Sequence, residues 1–315
     1  MTALQPVAIA LVSARRARGL DEDETPLVAA LRAAGAQVEV AAWDDPQVDW
    51  ASFELALLRS TWDYTDRLSE FLAWVNRVSG LTRLANPAAV VSWNTDKHYL
   101  SDLARAGVPT VDSTFIEPGE NASLALDRFL SVHEEPELVV KPAVGAGSLD
   151  TLRYKRQTRD AALAHAQRLL DMQRSVLLQP YLDRVDEYGE TSLIFFAGRF
   201  SHGIRKGPML LSPTQDGAPR AGPGPGTNSD LFVAERITAR AAATDELDVA
   251  ARALAAIPFG NVLYARVDLI RDTGGAPVIL ELELTEPSLF FAYAAGSADR
   301  FAQAVLGDLS LQVKT

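Results

Sequence analysis

The chain has 315 residues, 48% of them apolar and 23% charged, the balance of a globular protein with room for two or three domains. Its formal net charge of −11 argues against a binder of phosphate backbones, which would need a basic face, so no nucleic-acid ligand is expected, although a local basic pocket could still hold a small anion. With no cysteine there is no disulfide, thiolate metal site or cysteine nucleophile.

The first apolar run, "PVAIALVS" (6–13), predicts a buried strand, and no basic stretch precedes it. No run nears the ~20 apolar residues of a membrane span, so a soluble, cytoplasmic protein is expected. "TPLVAALRAAG" (25–35) follows as a helix with Thr25 as N-cap, Pro26 in the first turn and Gly35 ending it. "QVEVAAW" and "ELALLRS" read as strands and residues 66–78 as an amphipathic helix, which together predict a small parallel α/β domain. It holds no G-x-G-x-x-G, so nothing supports a dinucleotide site there.

"NTDKHYLSDLARAGVPT" (94–110) predicts one capped helix ending at Gly107. "ELVVK" is a strand entering the turn "PAVGAGS"; "TLRYKR", a helix near 160–171 and the strand "SVLLQPYL" come next. Residues 191–206 predict two antiparallel strands turning at Ala197–Gly198. Residues 207–230 lose all periodicity, and a loop of that length inside a domain reads as a functional lid or a disordered insert. A helix from 244 to 257 leads to the hairpin "VLYARVDLI" and "VILELEL", and a last helix closes the chain.

That hairpin carries the chemistry. Strand alternation puts Ile279, Glu281, Glu283 and Thr285 on one face of the second strand, and Tyr264, Arg266, Asp268 and Ile270 on one face of the first. If the two faces coincide, Asp268, Glu281 and Glu283 converge, and carboxylates in an apolar setting need a cation. Three oxygen ligands on a stiff hairpin suit Mg²⁺. The competing reading is a structural salt bridge to Arg266, but one arginine cannot offset three acids. A magnesium site of this kind usually accompanies a nucleotide. Lys141, beside a turn containing Gly145, Gly147 and Ser148, could cradle phosphates, and Lys97 is a second candidate cation. Arg205 and Lys206 are a third basic point, and "LLQPYL" could line an adenine pocket or form an edge strand.

In this order the pieces resemble the ATP-grasp superfamily, near its glutathione-synthetase-like branch. The resemblance implies an α/β and α+β chain in three parts: residues 1–92 as an N-terminal parallel α/β domain, 93–180 as a small lobe with a linker helix, and 181–315 as a large lobe with the metal hairpin and a lid at 207–230. It implies that ATP and Mg²⁺ bind between the lobes. Lys97, Lys141, Gly145, Gly147 and Ser148 would contact phosphates. The hinge Gln179, Pro180, Tyr181 and Leu182 would meet adenine, with Asp186 or Glu187 on the ribose. Asp268, Glu281 and Glu283 would hold the metal, although the family usually has Asn where Glu283 stands. Arg266, Arg205 and Lys206 are the catalytic candidates. A homo-oligomer is common among such relatives.

More narrowly, "LLRSTWDYTDRLSEFLAWV", "WNTDKHYLSDLARAGVP", "SHGIRKGP" and "LELELTEPSLF" resemble the group of ring-closing ligases acting on O-ureido-D-serine to give D-cycloserine. That implies an ADP-forming ligase with a small amino-acid-like substrate; a ligase for another amino acid or peptide, a lapsed Mg-ATP-binding module and a small-molecule kinase are the alternatives. Substrate candidates are Arg59 for a carboxylate, Ser60 and Thr61 as hydrogen-bonding groups, Asp63 for an ammonium, and Thr285 and Ser288 beyond the metal strand. The segment 59–64 reads equally well as a helix N-terminus packed through Trp62. The four histidines show no metal-ligand spacing and read as surface or packing residues, with His202 near enough to Arg205 to reach substrate.

Overall fold

The computed structural model describes residues 6–208, 210 and 236–312. The N-terminal unit contains β1 (Ala8–Ser13), α1 (Glu24–Ala33), β2 (Gln37–Ala42), β3 (Leu55–Ser60), α2 (Leu68–Val78) and β4 (Arg83–Ala85). Its four strands form a parallel sheet in the order β2-β1-β3-β4. In α2, Phe71, Trp74, Val75 and Val78 recur at helical spacing and are buried. Phe71 and Trp74 stack on each other and meet Trp43 edge-on. Burying each such side chain contributes roughly 2–3 kcal/mol, which holds α2 against the sheet.

The linker differs from its sequence reading. Residues 94–107 are not one helix but the end of α3 (Ala88–Asn94), a break, and α4 (Tyr99–Arg105). At the break the Asp96 carboxylate accepts from the His98 N–H, and the Lys97 N–H donates to the Ala143 carbonyl. The backbone there serves the neighbouring sheet instead of a helix. The N-cap of α1 also moves, from Thr25 to Asp23.

A second sheet comprises β5 (Thr114–Ile116), β6 (Glu137–Pro142), β7 (Leu152–Lys155) and β8 (Val176–Pro180), in the antiparallel order β5-β8-β6-β7. Helices α5 (Ala122–Val132) and α6 (Arg159–Asp171) cover it. The short α7 (Arg184–Tyr188) leads to the third sheet, formed by β9 (Glu190–Phe196), β10 (Arg199–Lys206), β11 (Ile237–Arg240), β12 (Tyr264–Arg271) and β13 (Pro277–Glu283) in the order β11-β10-β9-β12-β13. Helix α8 (Thr244–Ala255) packs on its hairpin, and α9 (Ser297–Gln312) joins it to α1. The turn between β9 and β10 falls at Ala197–Gly198, both at positive φ, as two-residue hairpins require. The proposed lid over 207–230 lies almost wholly outside the described residues.

β13 is an edge strand whose outer side is covered. The Asn94 side chain donates to the Leu282 carbonyl and accepts from the Leu284 N–H, and the Tyr99 hydroxyl accepts from the Leu282 N–H. Further along, Ile279 exchanges backbone hydrogen bonds with Pro109 and Val111. No helix among the described residues is long and apolar enough to cross a membrane.

Candidate active site

A cavity of about 770 Å³ opens where the three sheets meet. Its hairpin wall is set by register: Arg266 lies directly opposite Glu283, and Asp268 opposite Glu281. The two faces therefore coincide. A bulge follows, pairing Leu269 with Ile279 and leaving Leu280 as the extra residue. Ile279 consequently turns into the core, contrary to simple alternation, while Ile270 and Leu280 line the cavity.

The acids are not left to one arginine. Lys141 Nζ donates to Glu281 at 3.0 Å, and Lys97 Nζ lies 3.9 Å from the same carboxylate while donating to the Gly145 carbonyl at 2.8 Å. Arg266 grips Asp268 at 2.8 and 2.9 Å and also meets Glu283. Lys206 Nζ bridges Glu190 and Asp268. Four cations thus share a task that the sequence reading, with only Arg266 in view, assigned to Mg²⁺, because three of them arrive from other strands and the linker.

These contacts divide the carboxylates by protonation. Burial opposes ionisation of Glu281, but Lys97 and Lys141 outweigh it and hold the carboxyl at about 2. Arg266 and Lys206 likewise outweigh burial at Asp268 and keep it well below the ordinary range. Burial wins at Glu190, pushed up to about 8 despite Lys206, and at Glu283, raised to about 7 despite Arg266. Burial also lowers the Lys141 ammonium, partly offset by Glu281.

Eight carboxylates but only four cationic side chains line the cavity among the described residues. A polyanionic ligand would enter this excess of acid only with a compensating cation. The all-oxygen set Asp268, Glu281 and Glu283 fits a hard divalent ion in chemistry. Among the described residues, however, no three acidic or imidazole groups already form a metal cage. Each of the three acids is instead engaged by a cation of the chain.

Gly145, Gly147, Ser148, Gln179, Pro180, Tyr181, Leu182, Lys206 and Ser288 all line the cavity beside Lys97, Lys141 and the hairpin. Gly147 and Ser148 adopt positive φ, so the glycine turn curls back on itself. Other expectations fail. Arg205 points away, donating to the carbonyls of Glu187 and Tyr188, because it neighbours inward-facing Lys206 on a strand. Asp186 is tied to Arg153 and the Tyr181 hydroxyl, and neither it nor Glu187 lines the cavity.

Arg59, Ser60, Thr61, Asp63 and Thr285 are likewise buried off the cavity wall. Arg59 donates to the Pro287 carbonyl, Ser60 to Ser13, and Asp63 accepts from Trp43 and Arg67. Thr285 lies near Asn94 and its carbonyl accepts from the Tyr264 hydroxyl. Their neighbours Trp62 and Tyr64 face the cavity instead. His202 contacts the Leu289 carbonyl and does not reach the cavity.

Sequence reasoning missed Glu190, Glu286, Tyr64 and Asp23. Glu190 opens a strand just after Gly189 (φ 78°), where an added side chain would strike Arg205; that glycine was an available signal. Asp23 carries no signal of its role: its carboxylate accepts from the backbone N–H groups of Leu289, Phe290 and Phe291, far along the chain.

Residues 9–86 match the family described as the N-terminal domain of D-cycloserine synthetase DcsG. The chain is 41% identical over 306 residues to the cycloserine biosynthesis protein DcsG of Streptomyces lavendulae, covering 94% of this chain and 97% of that one. The crystal structure of D-cycloserine synthetase DcsG superposes with a TM-score of 0.86 at 41% identity, covering 96% and 99% of the two chains. At 13% and 18% identity, D-alanine–D-alanine ligase from Bacillus anthracis (TM-score 0.69, 98% of both chains) and the ATP-grasp ligase PsnB (0.63, 96% and 99%) share the fold. The chain belongs to the DcsG family and has the ATP-grasp ligase fold.

Proposed function

We propose that the protein is an ADP-forming cyclo-ligase that converts O-ureido-D-serine to D-cycloserine. What supports the nucleotide half of this reading is one observation: cations of the small sheet and linker, Lys141 and Lys97, converge on a carboxylate of the large sheet, Glu281, beside a glycine turn. The substrate half rests on the 41% identity to a cycloserine biosynthesis protein along nearly the whole chain.

ATP phosphates entering between the sheets would replace Glu281 as partners of Lys97 and Lys141. The freed Glu281, with Asp268 and Glu283, would hold Mg²⁺, which supplies charge neutralisation at the phosphates. The apolar hinge side, Gln179 to Leu182 with Ile270 and Leu280, would take adenine. The substrate carboxylate attacks the γ-phosphate, giving an acyl phosphate and ADP; the ureido N–H next to oxygen then attacks the acyl carbon, the ring closes and phosphate leaves. Hydrolytic loss of the carbamoyl group completes the product. No side-chain nucleophile is needed. The chain's part is positioning and charge, with Arg266 and Lys206 facing the transferring group.

Incubation with ATP, Mg²⁺ and O-ureido-D-serine, followed by ADP assay and mass spectrometry, tests the reading. D-cycloserine and ADP in equal amounts are expected. ADP release only with other amino acids or dipeptides would make it a ligase of different substrate. Tight Mg-ATP binding without product would make it a regulatory module, and a stable phosphorylated product would make it a kinase.

A further inference from the structure

Among the buried carboxylates of the cavity wall, Glu286 differs from the rest. Asp268 and Glu190 contact Lys206, and Asp21 and Asp23 lie within 4.0 Å of Arg59. Glu286 is 8% exposed, and among the described residues it has no lysine or arginine at ion-pair distance; the buried Tyr64 stands beside it on the cavity wall. Burial, then the charge of Glu283, pushes its carboxyl up to about 8. A carboxylate so placed is costly until a cation arrives.

Its backbone is already fixed. The carbonyls of Thr285, Pro287 and Ser288 accept from Tyr264, Arg59 and Arg266, and Asp23 holds the next three N–H groups. The same cavity is also lined by the aromatic rings of Trp62, Tyr64, Phe290 and Tyr293. Aromatic faces attract an organic ammonium, whereas a divalent ion asks for further oxygen ligands.

We infer that Glu286, positioned by Tyr64, receives the α-ammonium of the amino-acid substrate. The inference rests on the ligase reading above. It also gives the contact a chemical purpose: an amine held as ammonium has no lone pair, so it cannot compete with the ureido nitrogen for the acyl phosphate.

The test compares wild type, Glu286→Gln and Tyr64→Phe with O-ureido-D-serine and with its deamino analogue, in which hydrogen replaces the ammonium. ADP release is followed at varied substrate, ATP and Mg²⁺. Glu286→Gln should raise the substrate KM about 10- to 100-fold and leave the ATP KM within about two-fold. The analogue should be equally poor with wild type and Glu286→Gln, and Tyr64→Phe should raise the substrate KM about three- to ten-fold. An unchanged substrate KM in Glu286→Gln, an equal loss with substrate and analogue, or an altered Mg²⁺ requirement instead would overturn the inference while the ligase reading stands. A wild type that releases no ADP with O-ureido-D-serine would remove both.

Discussion

The small sheet and the large sheet contribute opposite charge to one cavity. The small sheet brings Lys141 and the glycine turn, while the large sheet brings Asp268, Glu281, Glu283 and Glu190. Within the large sheet, Arg266 and Lys206 both contact Asp268. Glu281 draws its partners from outside its own sheet. One ion network is therefore internal to the large sheet, and the other spans two units.

Four changes would break or sharpen that contrast. Glu281→Gln removes the shared carboxylate and should lower turnover about 10³-fold with the fold intact, read as steady-state ADP release. Normal turnover would take Glu281 out of the site.

The second concerns the small sheet's lobe, where His165 is buried with neither ring nitrogen hydrogen-bonded among the described residues. Burial, then the charge of Arg168, lowers its pKa from 6.5 to about 4. Because the folded value lies below the unfolded one, the neutral ring's contribution is complete above pH 6.5 and is lost as pH falls towards 4. Up to roughly 3 kcal/mol should disappear across that window. Denaturant unfolding at several pH values, beside His165→Leu, would show it; an equal acid response in the variant would refute it.

Third, Lys141→Ala should weaken ATP binding about 30-fold by calorimetry, since a charge-assisted contact is lost. An unchanged affinity would mean that the interlobe contact is structural. Smallest of all, Arg205→Ala should leave turnover within about two-fold, because this side chain serves outer carbonyls. A large loss would return it to the reaction.

How much of this could be read in advance follows from the range of the interactions. The acidic face of the hairpin was legible because alternation is local, and Asp268 does stand opposite Glu281. The same rule says that Arg205 and Lys206 face opposite ways but cannot say which faces inward. It also misplaced Ile279, since a bulge shifts register by one residue. Arg59 looked like a ligand at a strand's carboxyl end, yet its partner is the carbonyl of Pro287, 228 residues away. Asp186 had the spacing of a ribose ligand and was claimed by Arg153. Polar residues whose partners lie on another unit give no periodic signal, and Asp23, Tyr64 and Glu286 were missed for that reason.

The covering of β13 has its own consequence. A strand at the rim of a sheet normally offers unpaired amides and carbonyls to any passing polypeptide. Here Asn94, Tyr99, Pro109 and Val111 occupy those groups from Ile279 to Leu284. The segment bearing Glu281 and Glu283 is thereby insulated against β-sheet growth into a neighbouring molecule.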